Sequence, residues 1–283
     1  MLLRYPGFDE EAYLTANPDV RDAVAQGAFP SGFVHFRRFG RYEARAGVPS
    51  SAVPPDYRPL AAMPPPALRE RVHGTADAET FDRYGRWICD DILDAAAGRV
   101  DLTPTARVLD FGCGSGRVMR HFLPQCAAEV VGVDIDGESI AWCQAGLPEA
   151  TFHRTREWPP FPFGPAQFDL IFSISVFTHL PEDMQLAWLQ ELSRVAKPGA
   201  LLLLSIHPPA LMPASDAEGA QQMARTGFYY RRGSTTDGLP DFYRTAYHSG
   251  DYVRSVWARW LSIETVIRKG VNDFQDLVVA RPR

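Results

Sequence analysis

The chain has 283 residues, 46% of them hydrophobic, enough to bury one large core and leave several dozen residues for an appended module. A formal net charge of -5, with basic residues scattered rather than striped, gives no field that would gather a polyanion and argues against a nucleic-acid partner. Cys89, Cys113, Cys126 and Cys143 show no C-x-x-C pairing, and the longest aliphatic run, Leu201 to Leu204 with Ile206 close by, is too short to span a bilayer, so the expectation is a soluble cytoplasmic protein without disulfides or a metal site.

At the start of the chain nothing near Met1 resembles a signal peptide. Phe8, Tyr13, Leu14, Val20, Val24, Phe33, Phe36 and Phe39 recur at roughly helical spacing, with Asn17-Pro18 and Gly27 as punctuation, which predicts a small helical module over residues 1–46. Phe8-Asp9, Tyr13-Leu14, Asn17-Pro18-Asp19-Val20, His35-Phe36, Phe39-Gly40-Arg41 and Glu43-Ala44-Arg45 resemble a short module of bacterial surface-glycan glycosyltransferases and some repeat-bearing surface proteins. That resemblance names no chemistry and leaves a protein partner as one reading of the module. Seven prolines (Pro49, Pro54, Pro55, Pro59, Pro64, Pro65 and Pro66) then remove backbone donors and fix φ, which predicts an extended linker over residues 47–69.

From residue 70 to 283 helices and strands alternate. The pattern predicts a helix from Phe81 to Ala97, strand Arg107 to Phe111, helix Gly116 to Phe122, strand Glu129 to Asp134 and helix Gly137 to Ala145. A short strand near Ala150 to Arg154, strand Phe168 to Ser173, helix Pro181 to Val195 and strand Gly199 to Ile206 follow. Such alternation implies βαβ units and a parallel sheet with helices on both faces. Leu261 to Lys269 and Phe274 to Ala280, separated by Gly270-Val271-Asn272-Asp273, read as a hairpin whose last strand runs antiparallel. The fold class is therefore α/β: a Rossmann-like, seven-stranded, mostly parallel sheet with an antiparallel terminal hairpin strand, preceded by a small α-helical module.

Val108-Leu109-Asp110-Phe111-Gly112-Cys113-Gly114-Ser115-Gly116-Arg117 is an apolar strand that ends in a carboxylate and turns through three alternating glycines into a helix. The glycines let backbone approach a ligand where a Cβ would collide. The spacing is G-x-G-x-G rather than the G-x-G-x-x-G of a pyrophosphate loop, and the preceding acid suits an ammonium or sulfonium cation. A tight turn without a ligand is the bland alternative. The stretch closely resembles the first motif of class I S-adenosyl-L-methionine-dependent methyltransferases, and a terminal hairpin strand is the methyltransferase variant of the Rossmann design. The resemblance implies S-adenosyl-L-methionine as cofactor, with Asp110, Gly112, Gly114 and Gly116 around its methionine part.

Eighteen positions beyond Gly116, Val130-Val131-Gly132-Val133-Asp134-Ile135-Asp136 is a second apolar strand ending in an acid. Asp134, with Ile135 beside it, is the expected cofactor contact at the ribose, while Asp136, or even Asp134, serves equally as a helix cap. Where the family's third strand usually delivers an acidic or polar residue to the adenine, this chain has His153-Arg154-Thr155-Arg156; Arg154 and Thr155 either flank the adenine or belong to a solvent-exposed loop. Phe168-Asp169-Leu170-Ile171-Phe172-Ser173-Ile174 resembles the fourth family strand, which sets Ser173 and Ile174 beside the transferred methyl. Ser173-Ile174-Ser175-Val176 replaces the Asn/Asp-Pro-Pro-Tyr tetrad of amino-directed DNA enzymes, and no Pro-Cys nucleophile occurs, which leaves a small molecule or glycan as acceptor. Lys197-Pro198-Gly199 resembles the family's late motif and supports the fold alone. On the helix ahead of the first motif, Arg86 is a candidate for the methionine carboxylate and Tyr84 for the sulfonium, against an ordinary amphipathic helix start.

Residues 207–260 interrupt the alternation and read as a substrate-binding insertion leaving the ligand edge of the sheet. Phe242-Tyr243-Arg244-Thr245-Ala246-Tyr247-His248-Ser249-Gly250-Asp251-Tyr252-Val253 within it, with Phe274-Gln275-Asp276-Leu277-Val278-Val279, resembles bacterial methyltransferases found near glycan-assembly genes. For a hydroxyl acceptor the chain needs a base, and His248 is the first candidate, with Tyr243 positioning substrate and His207 second. His179 reads as packed against the next helix. The competing functions are a non-catalytic cofactor-binding scaffold that recruits glycan-assembly enzymes, against which the intact motifs argue, and a nicotinamide oxidoreductase, which the loop spacing disfavours.

Overall fold

The computed structural model describes residues 5, 7–43, 45–49, 63–231 and 240–283. The chain divides into two compact units, residues 1–60 and 61–283.

In the first unit, helix α1 (Glu10–Ala16) starts where Asp9 accepts the Ala12 N–H, α2 (Pro18–Ala25) carries proline at its first position, and α3 (Gly32–Arg38) is capped by Ser31. Tyr5, Tyr13, Val20 and Phe36 form its buried centre. The quoted motif residues are structural here. The Tyr13 hydroxyl meets His35 Nδ1 at 2.9 Å, and Asn17 Nδ2 donates to the carbonyls of Tyr13 and Ala46. Arg45 pairs with Asp19 and Glu43, and a Cβ on Gly40 would fall on the Tyr13 hydroxyl. Residues 50–62, most of the expected linker, lie outside the described residues. Its C-terminal end is not extended: α4 (Pro66–His73) begins at Pro66, since the first helical position needs no N–H donor.

The second unit continues with α5 (Ala78–Ala96), β1 (Arg107–Phe111), α6 (Met119–Phe122), β2 (Glu129–Asp134), α7 (Gly137–Gly146), β3 (Thr151–Arg154) and β4 (Phe168–Ser173). Then come α8 (Glu182–Val195), β5 (Ala196–Ile206), α9 (Ala217–Thr226), β6 (Phe228–Arg231), β7 (Thr245–His248), α10 (Gly250–Val256), β8 (Leu261–Val271) and β9 (Gln275–Pro282). Seven strands form one sheet in the order β3-β2-β1-β4-β5-β9-β8, with β9 inserted antiparallel between β5 and β8. The helix expected from Gly116 starts only at Met119, because Gly112, Gly114 and Gly116 all have positive φ and hold the preceding turn out of helical geometry. β6 and β7 make a separate hairpin within the insertion.

Both sheet faces are covered. Trp188, Leu189 and Leu192 of α8 and Trp257 pack on one, and Ile88 and Ile92 of α5 with Met119 and Phe122 on the other. The strand order reverses at β1, whose neighbours are β2 and β4, and in an open α/β sheet the ligand crevice opens at the carboxyl ends of strands at such a point. Among the described residues no helix is long and apolar enough to cross a membrane.

Candidate active site

A cavity of about 1050 Å³ occupies that crevice. The turns leaving β1, β2 and β4 line it, together with residues 154–159 beyond β3, part of α4, and Pro240, Phe242 and Tyr243 from the insertion. α4 is fastened over the glycine turn. Arg71 pairs with Asp136 and Glu138 at 3.1 and 2.6 Å, the Ser115 hydroxyl donates to the Leu68 carbonyl, and a Cβ on Gly114 would stand 2.6 Å from Val72 Cγ2. The glycines therefore serve the protein's own packing as well as ligand approach. A Cβ on Gly112 would meet Val176 Cγ2 at 2.2 Å, and one on Gly116 would meet Leu147 and Cys143 of the α7 region.

Asp110, Asp134, Asp136 and Glu157 line the cavity, and the first two flank the glycine turn. Asp110 is 3% exposed, and burial, reinforced by the Asp134 carboxylate, pushes its carboxyl well above the usual range. A cation in the cavity would reverse that shift. Asp134 accepts the Gly114 N–H at 2.8 Å on one oxygen and the Asp136 N–H at 2.9 Å on the other, so it ties the glycine turn to β2 while each oxygen keeps a second lone pair. Burial raises its carboxyl against the lowering by these donors. Asp136 takes the capping role: it accepts from Glu138 N–H and the Ser139 hydroxyl at the start of α7.

Arg117 stands at the end of the glycine turn and has no anion beside it among the described residues. Among the described residues no carboxylate lies within ion-pair distance of it, its Nη1 meets His73 Nδ1 at 3.2 Å, and its Nε is buried without a partner. Burial lowers its pKa to about 10, opposed by the nearby Tyr243 and Asp110. Arg71 is paired as above, and Arg154 donates from Nε to the Ile135 carbonyl while lying over Gly137.

Of the residues singled out in the sequence, Asp110, Gly112, Gly114, Asp134, Ile135, Arg154, Thr155, Ile174 and Tyr243 line the cavity together. Others do not. Gly116 packs against α7, and the Ser173 hydroxyl is buried, donating to the Phe111 carbonyl at 2.9 Å across β1 and β4. Tyr84 and Arg86 stay outside the wall: the Tyr84 ring packs edge-on against His73 and stacks on Trp87, and α4 rather than α5 supplies side chains over the turn. His248 is 0% exposed, bonds Gln185 Oε1 through Nε2 at 2.8 Å, and sits among Phe228, Tyr252 and Trp257. Burial drops its pKa to about 3, so it is a core histidine and reaches no ligand as a base. His207 is also buried away from the wall, with its pKa lowered to about 4, first by burial and then by His179. Tyr243 stays: its ring stacks on His179 at 4.0 Å, and His179 Nδ1 lies 2.6 Å from the Arg244 carbonyl. Burial pushes the Tyr243 phenol up, which makes it a donor rather than a base.

Sequence reasoning passed over Arg71, Val72, Arg117, Trp158, Val176 and Phe242. For Arg117 the signal was its place directly after the third glycine.

Residues 108–199 match the family described as a methyltransferase domain. The trans-aconitate 2-methyltransferase of an Azoarcus species is 35% identical over 113 residues, which is 38% of this chain and 42% of that protein. The malonyl-[acyl-carrier protein] O-methyltransferase of Enterobacter lignolyticus is 33% identical over 110 residues (38% and 42%), and a cyclopropane mycolic acid synthase of Mycobacterium tuberculosis is 30% identical over 117 residues (40% and 40%). The chain spans at most about half the length of the curated relatives it matches. Among solved structures, an S-adenosylmethionine-dependent methyltransferase from Clostridium acetobutylicum superposes with a TM-score of 0.52 at 12% identity, over 76% of this chain and 96% of that one, a likeness of fold. Residues 108–199 thus match a methyltransferase domain, and they lie within a Rossmann-like sheet.

Proposed function

We propose that residues 61–283 form an S-adenosylmethionine-dependent methyltransferase acting on an oxygen of a small molecule. The observation that carries this reading is the convergence, on one cavity wall, of positive-φ glycines, the carboxylates of Asp110 and Asp134 and an arginine without an ion pair. These residues fit the cofactor's charges. Asp110 would take the ammonium and face the sulfonium, Arg117 the carboxylate, and Asp134 the ribose hydroxyls through its spare lone pairs. Bound S-adenosylmethionine supplies a methyl on a sulfonium carbon, open to in-line attack. Around it Ile174, Val176, Trp188, Phe242 and Tyr243 form an apolar and aromatic wall that excludes water and orients the acceptor.

No histidine lines the cavity among the described residues, so this chain contributes alignment rather than a neutral-pH base. That favours an acceptor oxygen already ionised, such as a carboxylate, and the names of the two relatives that act on trans-aconitate and on malonyl-carrier protein support the same class. A glycan hydroxyl is the reading that the resemblance of residues 242–253 would favour.

The test is methyl transfer from tritiated S-adenosylmethionine to four probes: trans-aconitate, malonyl-N-acetylcysteamine, catechol and glucose. Label should enter one of the oxygen acceptors. A protein that binds S-adenosylhomocysteine yet labels none of them would be a scaffold rather than this enzyme.

A further inference from the structure

Ser175 follows β4, lines the cavity, and has a φ of +62. Glycine enters this left-handed region freely and serine does not, so whatever the position contributes beyond its turn comes from the hydroxyl. The conformation is held from two neighbouring strands. The Ser175 N–H donates to Ser205 Oγ of β5 at 2.7 Å, and its own Oγ accepts from Gln275 Nε2 at 2.9 Å and donates to Gln275 Oε1 at 3.3 Å at the start of β9. Gln275 Nε2 in turn lies 3.3 Å from Nε2 of His207, the residue that follows β5. Next door, Val176 is the side chain against which Gly112 of the glycine turn packs, so Ser175 flanks the cofactor end of the cavity.

The directions of these bonds follow from donor and acceptor inventory. His207 is neutral because it is buried, and its Nε2 faces an amide, so Nε2 offers a lone pair and Gln275 gives it one N–H. The second N–H of the same amide goes to the Ser175 oxygen. The Ser175 proton goes to Gln275 Oε1, at 3.3 Å, a long bond that an acceptor oxygen in the cavity would replace with a shorter one.

We infer that Ser175 is the acceptor-orienting donor of this cavity: its hydroxyl proton binds a carbonyl or carboxylate oxygen of the methyl acceptor, and Gln275 and His207 are positioning residues that fix its direction. This rests on the methyltransferase reading above. It explains why a non-glycine residue holds a glycine conformation at the edge where the methyl and its acceptor meet, and it sets an acceptor class, since an alcohol lacking a neighbouring carbonyl oxygen would leave this donor in its long bond to Gln275.

The test compares wild type with Ser175→Gly, Ser175→Ala and Gln275→Leu, using the four probes above. Wild type should prefer trans-aconitate or malonyl-N-acetylcysteamine to catechol and glucose. Ser175→Gly removes the hydroxyl and also the unfavourable φ, so it should melt no lower than wild type and bind S-adenosylhomocysteine within about twofold. Its KM for the preferred probe should rise roughly fivefold or more, as expected for a lost hydrogen bond to a charged group, with kcat changing less. Ser175→Ala should match it in KM without the gain in stability, and Gln275→Leu should raise KM in the same direction. An unchanged KM in Ser175→Gly, or a preference for catechol or glucose, overturns the inference while leaving the enzyme reading intact. A wild-type protein that methylates none of the four overturns both.

Discussion

Gly114→Ala separates the two reasons a glycine stands in this turn. At φ +52 an alanine pays for the left-handed region, about 1–2 kcal/mol. Its Cβ would also arrive 2.6 Å from Val72 Cγ2 and 3.3 Å from Cγ1, well inside ordinary contact, which adds an overpacking cost of about 1 kcal/mol because Val72 is only half-buried and can shift. The variant should therefore lose about 2–3 kcal/mol of unfolding free energy. Replacing Val72 by alanine removes both close methyls and leaves only the Val72 Cβ at 3.6 Å. The double variant should then recover the overpacking share, a coupling of about 1 kcal/mol, but not the backbone share. Urea unfolding followed by tryptophan fluorescence reads this directly, since all six tryptophans lie beyond residue 60. Additivity within about 0.3 kcal/mol would refute the packing of α4 over the glycine turn.

Asp134→Ala removes the acceptor for two backbone N–H groups and the proposed ribose ligand, so S-adenosylhomocysteine affinity should fall about tenfold or more by calorimetry; a value within threefold of wild type would sink that assignment. His248 has a folded pKa near 3 against about 6.5 unfolded, so the unfolded chain takes up its proton first as pH falls. Its contribution is full above about pH 6.5 and is lost below it, at up to about 1.4 kcal/mol per pH unit. His248→Phe should accordingly flatten the acid limb of the stability curve, and an unchanged slope would show that this histidine is not buried neutral. Deleting residues 1–60 should leave a folded unit with unaltered S-adenosylhomocysteine affinity, whereas an aggregating product would show that the first unit supports the second.

Sequence reached the sheet well because the strands that matter carry unambiguous signals. β1, β2 and β4 are largely apolar runs with Asp110 next to last in β1, Asp134 closing β2 and Ser173 closing β4, and their expected bounds coincide with the observed ones. Asp110 and Asp134 followed from those ends. α4 was hidden because Pro64-Pro65-Pro66 reads as linker, yet the last proline is also a favoured helix start, and only contact with the glycine turn decides between them. His248 failed as a base for a different reason. Residue type suggested its chemistry, but in the four-residue strand β7 no sequence alternation says which face is turned inward, and pairing with β6 buries the ring against Gln185. Arg117 was legible as a residue but not as a site, because a cation without an ion pair is visible only once its neighbours are in place.

The central claim is that the cavity bounded by Asp110, Gly114, Arg117 and Asp134 is the S-adenosylmethionine site. Calorimetric titration of the whole chain with S-adenosylhomocysteine, and separately with NAD, tests it most directly. Saturable one-to-one binding of S-adenosylhomocysteine that weakens in both Asp134→Ala and Arg117→Ala is expected, with no heat of binding for NAD. Binding of NAD, or S-adenosylhomocysteine affinity indifferent to both substitutions, would contradict it.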